Sequence, residues 1–230
     1  MTRDIPYYST NEDKQILRIF VIRHGQTNEN VKKILQGHKD TDLNEVGVEQ
    51  AIKLGQYLNQ NREIRFDKVF SSDLKRCQQT LNEILKAFPE SEKPEVSVDS
   101  GLRERCMGII EGMYLKDAEE YALKHGKASF REFGENAKDF EERLSSKILE
   151  IIDQSLSLKN IALISHGGSI RQILKWLQYE ENNVHKIIVY NTSVTIIDYI
   201  KDAETLNVRR VGNTQHLGDG EFVVNDFRLR

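Results

Sequence analysis

The sequence predicts an α/β protein built as a three-layer sandwich, with a mainly parallel central sheet and helices on both faces. Three observations carry this. Short runs of β-branched and apolar residues alternate with helical patterns over residues 16–178, the order that gives parallel strands joined by crossover helices. Two of those runs, 16–22 and 161–165, are almost wholly apolar, as buried strands are. No repeat, low-complexity tract or Pro/Gly/Ser-rich linker divides the 230 residues. Residues 1–230 are therefore expected to form a single domain, with 1–15 as a polar lead-in.

Taken in order, Ile16-Leu17-Arg18-Ile19-Phe20-Val21-Ile22, bounded by Gly25, reads as the first buried strand. Residues 44–59 read as a helix, with Asn44 as N-cap and Val46, Ala51, Leu54 and Leu58 on one side. Residues 66–70 form a short second strand. A helix follows over 74–88, carrying Leu74, Cys77, Leu81, Ile84 and Leu85 and ending near Pro89. Residues 95–98 are a third short strand. Helices are predicted over 117–125 and 137–156; in the second, Phe140, Leu144, Ile148, Ile151 and Ile152 recur at helical spacing. Residues 161–165 are a buried strand and 169–178 a helix. Beyond that point the helical spacing stops. The stretches 186–190, 194–200 and 208–211 are β-rich and separated by polar gaps, and read as a meander or hairpin.

Composition narrows the function classes. Lys and Arg total 33 against 36 Asp and Glu, a net charge of −3, so nothing suggests nucleic acid or an anionic membrane as partner. No apolar run approaches the ~18–20 residues that span a bilayer. The first residues lack the basic-then-apolar plan of a signal peptide. A cytoplasmic location with free thiols is the expectation. Cys77 and Cys106 cannot by themselves supply a disulfide scaffold or a four-ligand zinc site.

Three apolar runs end in conspicuous polar groups: Arg23-His24-Gly25-Gln26-Thr27, Ser71-Ser72-Asp73-Leu74-Lys75-Arg76 and Ser165-His166-Gly167-Gly168. Ligands in open α/β sheets lie beyond the carboxyl ends of the strands. As parallel neighbours, these ends would bring Arg23, His24, Arg76 and His166 to one crevice, where backbone N–H groups of helix starts suit an anion. Two imidazoles alone would serve as metal ligands, acid–base groups or a nucleophile. Two guanidinium groups repel a divalent cation and match phosphate oxygens bidentately. They turn the reading from a metal site to a phosphate site. A histidine beside two arginines is kept neutral, as attack on phosphorus requires, and the second histidine would hydrogen-bond the transferring group. Glu104, in 101–105, is the expected proton donor to the leaving alkoxide, since a carboxyl near a phosphate dianion holds its proton more tightly. Glu111 is its nearby rival. Gln26 and Thr27 either bind ligand oxygens or cap the next segment. Gln36 and Gly37 form a pocket wall or a turn.

The motifs together resemble the histidine phosphatase superfamily, in its phosphoglycerate-mutase-like branch. They are Val21-Ile22-Arg23-His24-Gly25-Gln26-Thr27 with Asn30, Gln36-Gly37, Asp42-Leu43, Gly47, Gln50-Ala51, Ser71-Ser72-Asp73-Leu74-Lys75-Arg76-Cys77-Gln78-Gln79-Thr80, Leu102-Arg103-Glu104, Gly108 with Glu111-Gly112, Ser165-His166-Gly167-Gly168 and Asn191-Thr192-Ser193-Val194-Thr195. The resemblance implies a covalent phosphohistidine on His24. Arg23, Asn30 and Arg76 would then bind phosphate, Glu104 would donate the proton and His166 would complete the pocket, with neither metal nor other cofactor. Gln26, Thr27, Gln36, Gly37 and Gly167 join the expected substrate-binding set, and the expected partner is a small phosphorylated metabolite. Mutases of the branch carry a tyrosine soon after the acid and usually Gly-Asn after the second histidine. Here Glu104 is followed by Arg105-Cys106-Met107-Gly108-Ile109-Ile110-Glu111-Gly112, without that tyrosine, Gly167-Gly168 follows the second histidine, and only 62 residues separate Glu104 from His166 (166 − 104). The reading is therefore a phosphatase. A phosphoglycerate mutase with the same nucleophile is the alternative, followed by a non-catalytic phosphate-binding module. A zinc hydrolase is weaker, for no His-Glu-x-x-His motif is present. Specificity is expected in 36–42 and 107–135. His38, His125, His185 and His216 read as surface or structural, with His216 packing the tail, and Cys77 as core.

Overall fold

The computed structural model describes residues 9–61, 64–179 and 187–218. Six strands form one sheet. In chain order they are β1 (Ile16–Arg23), β2 (Lys68–Ser71), β3 (Glu95–Val98), β4 (Asn160–Ser165), β5 (Val194–Ile200) and β6 (Thr205–Asn213). In space the order is β3-β2-β4-β1-β5-β6. The first four are mutually parallel, β5 runs antiparallel to β1, and β6 runs antiparallel to β5. Arg23 lies opposite Ser165, and Ser71 opposite Ile164. The carboxyl ends of β1, β2 and β4 therefore lie side by side.

The two-residue period of a strand sends alternate side chains to opposite faces, and β1 shows both layers. Leu17, Ile19 and Val21 pack with Ile148, Ile151 and Ile152 of helix α5 (Ala137–Gln154) and with Ile170, Ile173 and Leu174 of α6 (Gly167–Trp176). Phe20 and Ile22 point the other way. They meet Ala51 and Leu54 of α2 (Glu45–Gln56), and Cys77, Leu81 and Ile84 of α3 (Lys75–Leu85). This is the three-layer arrangement expected, with β5 and β6 as an antiparallel hairpin at one side.

Two further helices, α1 (Asn28–Lys32) and α4 (Leu115–Lys124), lie in a smaller assembly. The chain at 33–35 pairs with 112–115 through Leu35 N–H to Met113 O, Gly112 N–H to Leu35 O and Leu115 N–H to Lys33 O. Ile110, Ala118 and Phe130 form a small apolar cluster of their own. Residues 107–135 thus have a packing centre separate from the sheet.

Several expectations shift. The stretch 186–190 is not a strand: Lys186 lies outside the described residues, and 187–190 carry no regular structure. Strand β1 already has β4 on one edge and β5 on the other, so no edge is left for it. The helix of 44–59 ends at Gln56 and continues as a π turn over Tyr57–Asn61. Val46 is about half exposed rather than inward. Helix α6 starts at Gly167, two residues before the expected 169. In the lead-in, 1–8 fall outside the described residues. Asn11 is buried, exchanging hydrogen bonds with the side chain of Asn160.

One polar cluster sits within the sheet. Arg18, 5% exposed, forks onto both oxygens of Asp198, 1% exposed, at 2.8 and 2.9 Å. Arg209 adds a contact at 3.0 Å. Removing one partner of a buried pair strands the other charge, at a cost of about 3–5 kcal/mol. Asp198→Ala is expected to lose about that much in urea unfolding; a loss near zero would show that water reaches the pair.

Candidate active site

Residues just past β1, β2 and β4 build the site. Arg23 closes β1 and His24 follows, its N–H donating to Ser165 O at 3.0 Å. Beyond β2, Ser72 N–H donates to Ile164 O at 2.9 Å, and the chain turns into α3, which carries Arg76. His166 is the N-cap residue of α6. The His24 and His166 rings come to 5.3 Å between centres, inclined at 59°, and both residues are buried.

Hydrogen-bond partners define both tautomers. A carbonyl only accepts, so His24 Nδ1, at 2.7 Å from Gly25 O, carries the proton. Its Nε2 is left as a lone pair. His166 Nδ1 accepts from Arg76 Nε at 3.2 Å, so its proton is on Nε2, 2.9 Å from Ser72 Oγ. Burial is the main force holding both imidazoles well below the ordinary histidine range, and the Arg76 charge is next.

Neutral buried histidines also make stability depend on pH. His216, also buried, is pushed down to about 4. In the unfolded chain histidines gain protons near pH 6.5, whereas the folded chain keeps these three neutral. The unfolded state then binds more protons, so stability falls as pH drops below about 6.5, by about 1.4 kcal/mol per pH unit for each such imidazole. For His216 the loss levels off near pH 4. Urea midpoints should fall between about pH 6.5 and pH 5. A midpoint that rises there would refute the assignment of neutral histidines.

Arg76 is buried, and Arg23 is half-buried with its Nε fully enclosed. Arg76, 1% exposed, gives Nη1 to Lys39 O and Nη2 to Gly37 O, each at 2.9 Å. Gly37 adopts φ +51°, and a side chain there would strike Glu111. Arg23 donates Nη1 to Val189 O, but its buried Nε has no hydrogen-bond partner among the described residues. Its charge is disfavoured, to a pKa of about 10, by burial first and by Arg171 and Arg76 further. Gly167 lies alongside: a Cβ there would be 3.2 Å from Arg23 Nε.

Glu104 is held against the start of α6. Its Oε2 accepts from Gly168 N–H at 2.7 Å and its Oε1 from Arg105 N–H at 2.9 Å. The Glu104 carbonyl accepts from His38 Nε2 at 2.8 Å and Arg143 Nη2 at 3.2 Å. Arg143 is itself forked on Glu135. A Cβ on Gly168 would lie 2.2 Å from Glu104 Oε1. Gly168→Ala must therefore displace the carboxylate. Misplacement of a reacting group by about 1 Å costs on the order of 10²-fold, so any turnover that uses Glu104 should fall by about that factor; unchanged turnover would remove Glu104 from the chemistry.

The other expected residues divide. Glu111, the rival of Glu104, accepts on its Oε1 from the N–H groups of His38 and Met107. Thr27 is fully buried and caps α1 in a reciprocal box with Asn30. Asn30 Oδ1 also accepts from Asn191 at 3.2 Å. Gln26 Oε1 accepts from Asn44, and Gln36 Oε1 from the Thr41 and Thr27 hydroxyls.

Residues 19–212 match the family model of the histidine phosphatase superfamily (branch 1). The chain belongs to the histidine phosphatase superfamily. It is a phosphoric monoester hydrolase of the histidine phosphatase type. A Saccharomyces cerevisiae protein named broad-specificity phosphatase is 60% identical over the full length of both chains. A Bacillus anthracis phosphoglycerate mutase crystal structure superposes with a TM-score of 0.76 at 27% identity, covering 91% of this chain and 97% of that one. An Entamoeba histolytica phosphoserine phosphatase mutant, solved with phosphoserine, gives 0.71 at 25% identity, covering 87% and 99%.

Several residues of this histidine phosphatase site carry no role in the sequence reading. Ser72 Oγ accepts a hydrogen bond from His166 Nε2–H. Cys77, expected as core, is buried, and its Sγ lies 3.5 Å from His166 Nε2. Thr80 Oγ1 donates to Arg76 O at 2.6 Å and accepts from Gly25 N–H at 2.9 Å, tying α3 to the His24 turn. A threonine four residues after an arginine on a helix is the signal that could have shown this, since its hydroxyl can bond back to the preceding turn.

Proposed function

We propose that this phosphatase hydrolyses small phosphate monoesters through a phosphohistidine on His24. One observation carries the reading: a neutral imidazole with a bare Nε2 sits beside the buried Arg76 and the half-buried Arg23, whose enclosed Nε has no partner among the described residues. That is a pocket built for an anion next to a nucleophile.

In this reading Arg23, Arg76 and Asn30 hold the phosphoryl oxygens, and His166 completes the pocket. His24 Nε2 attacks phosphorus as the ester P–O bond breaks. Glu104, protonated, gives its proton to the leaving alkoxide. Water then attacks the phosphohistidine, Glu104 takes the water proton, the N–P bond breaks and inorganic phosphate leaves. Residues 36–42 and 107–135 border the leaving group. The 60% identical relative's name, broad-specificity phosphatase, supports a permissive leaving-group side.

The test is a panel of sugar phosphates, nucleotides, phosphoglycerates and phosphopeptides, assayed in EDTA, with transfer of labelled phosphate from substrate to protein trapped by an alkaline detergent quench. Phosphate release with an acid-labile label on the wild-type chain supports the proposal. Fast exchange between 3- and 2-phosphoglycerate, primed by 2,3-bisphosphoglycerate and without phosphate release, would replace it with the mutase reading.

A further inference from the structure

The tail histidine His216 has no role in the chemistry above, yet it is buried and linked to the turn that carries His24. It lies in the short 3₁₀ turn Gln215–Leu217. Tyr57, just past α2, anchors that turn by donating its hydroxyl to Gln215 Oε1 at 2.7 Å. His216 Nε2 is 2.9 Å from Thr192 Oγ1. The threonine hydroxyl has one hydrogen, and it is given to Asn191 O at 2.7 Å. Thr192 Oγ1 must therefore accept from His216, which fixes the Nε2–H tautomer. Its Nδ1 is a buried lone pair without a partner among the described residues.

Thr192 has φ +57°, a conformation that a β-branched residue adopts only when its surroundings impose it. That conformation serves the site. Thr192 N–H donates to Arg23 O at 3.0 Å and to His24 O at 3.3 Å. Asn191 Nδ2 donates to His24 O at 3.0 Å and to Asn30 Oδ1 at 3.2 Å. Residues 191 and 192 thus grip the main chain of the nucleophile, the main chain of Arg23 and the side chain of Asn30.

We propose that His216 is a positioning residue, whose Nε2–H holds Thr192 in its left-handed conformation and through it fixes the turn bearing His24 and Arg23. This rests on His24 being the nucleophile. The predicted coupling between residues 216 and 192 is a matter of geometry that can be read separately from turnover.

Three variants test it. His216→Phe keeps the ring volume and removes the donor. His216→Gln keeps a donor. Thr192→Val removes the acceptor. Turnover of a phosphate monoester by His216→Phe should fall about 10- to 100-fold, the range that small displacements of reacting groups produce, with KM changing far less than kcat. Amide exchange at Thr192 should speed up. His216→Gln should recover most of both losses. Adding Thr192→Val to His216→Phe should cost little more, because the two act through one contact. Wild-type turnover and wild-type Thr192 protection in His216→Phe would overturn the proposal, as would losses that simply add in the double variant. If His216→Phe does not fold, the Gln and Val variants and their double carry the same comparison. Failure of the nucleophile reading looks different: His24→Ala would retain turnover, while the exchange rates still report the 216–192 coupling.

Discussion

Replacing His24 with alanine should leave a folded protein whose turnover of phosphate monoesters is reduced by about 10⁴-fold or more, the scale seen when an enzyme loses its nucleophile. The fold should survive because the strands around His24 are held by main-chain bonds that the substitution leaves intact, among them His24 N–H to Ser165 O. Binding should survive better than turnover, since Arg23 and Arg76 remain. Label transfer trapped by an alkaline quench should disappear. The decisive measurement is kcat with KM for one good substrate, alongside thermal unfolding. Robust hydrolysis by the alanine variant would move the nucleophile away from residue 24.

Glu104→Gln should act more selectively. Glutamine keeps the shape and offers Oε1 to one of the two N–H groups at Gly168 and Arg105, but it has no acidic proton. A positioned general acid is worth about 10²–10⁴-fold. An alkyl phosphate should therefore lose on the order of that factor. An activated aryl phosphate, whose leaving group needs no proton, should lose much less in its first step. Equal losses on both substrates would assign Glu104 to binding rather than proton donation.

Most of the framework was legible from the apolar runs and the 3.6-residue spacing of 137–156, because a strand buried on both faces and a long amphipathic helix have strong patterns. The start of α6 was not. Two glycines at 167–168 look like a loop, since glycine is a poor helix former. They are required there because Arg23 Nε and the Glu104 carboxylate approach the backbone where a Cβ would sit. The stretch 186–190 misled in the opposite sense: its β-branched residues Ile187 and Val189 are buried in the cluster that includes β1, and both edges of β1 are already taken by β4 and β5.

Within the site, the charged side chains were readable because they follow apolar strand ends. Gly37 O, Lys39 O and Glu104 O were not, although they orient Arg76 and His38. A main-chain carbonyl is common to every residue type, so composition holds no trace of its work. The tautomer of His24 escapes for the same reason, being set by Gly25 O, while that of His166 is set by Arg76 Nε, a contact made only by the folded chain.

The apolar cluster of Ile110, Ala118 and Phe130 bears on how such an enzyme could change its diet. Because 107–135 packs about its own centre, it can be lengthened, shortened or exchanged while the strand ends that hold Arg23, His24, Arg76 and His166 stay as they are. Chemistry and appetite rest on separate packing centres, joined at the stretch from Glu104 to Met107, where Arg105 reaches out to the carbonyls of Arg131, Phe133 and Glu135, and at 33–38, which pairs with 112–115 and meets Glu111.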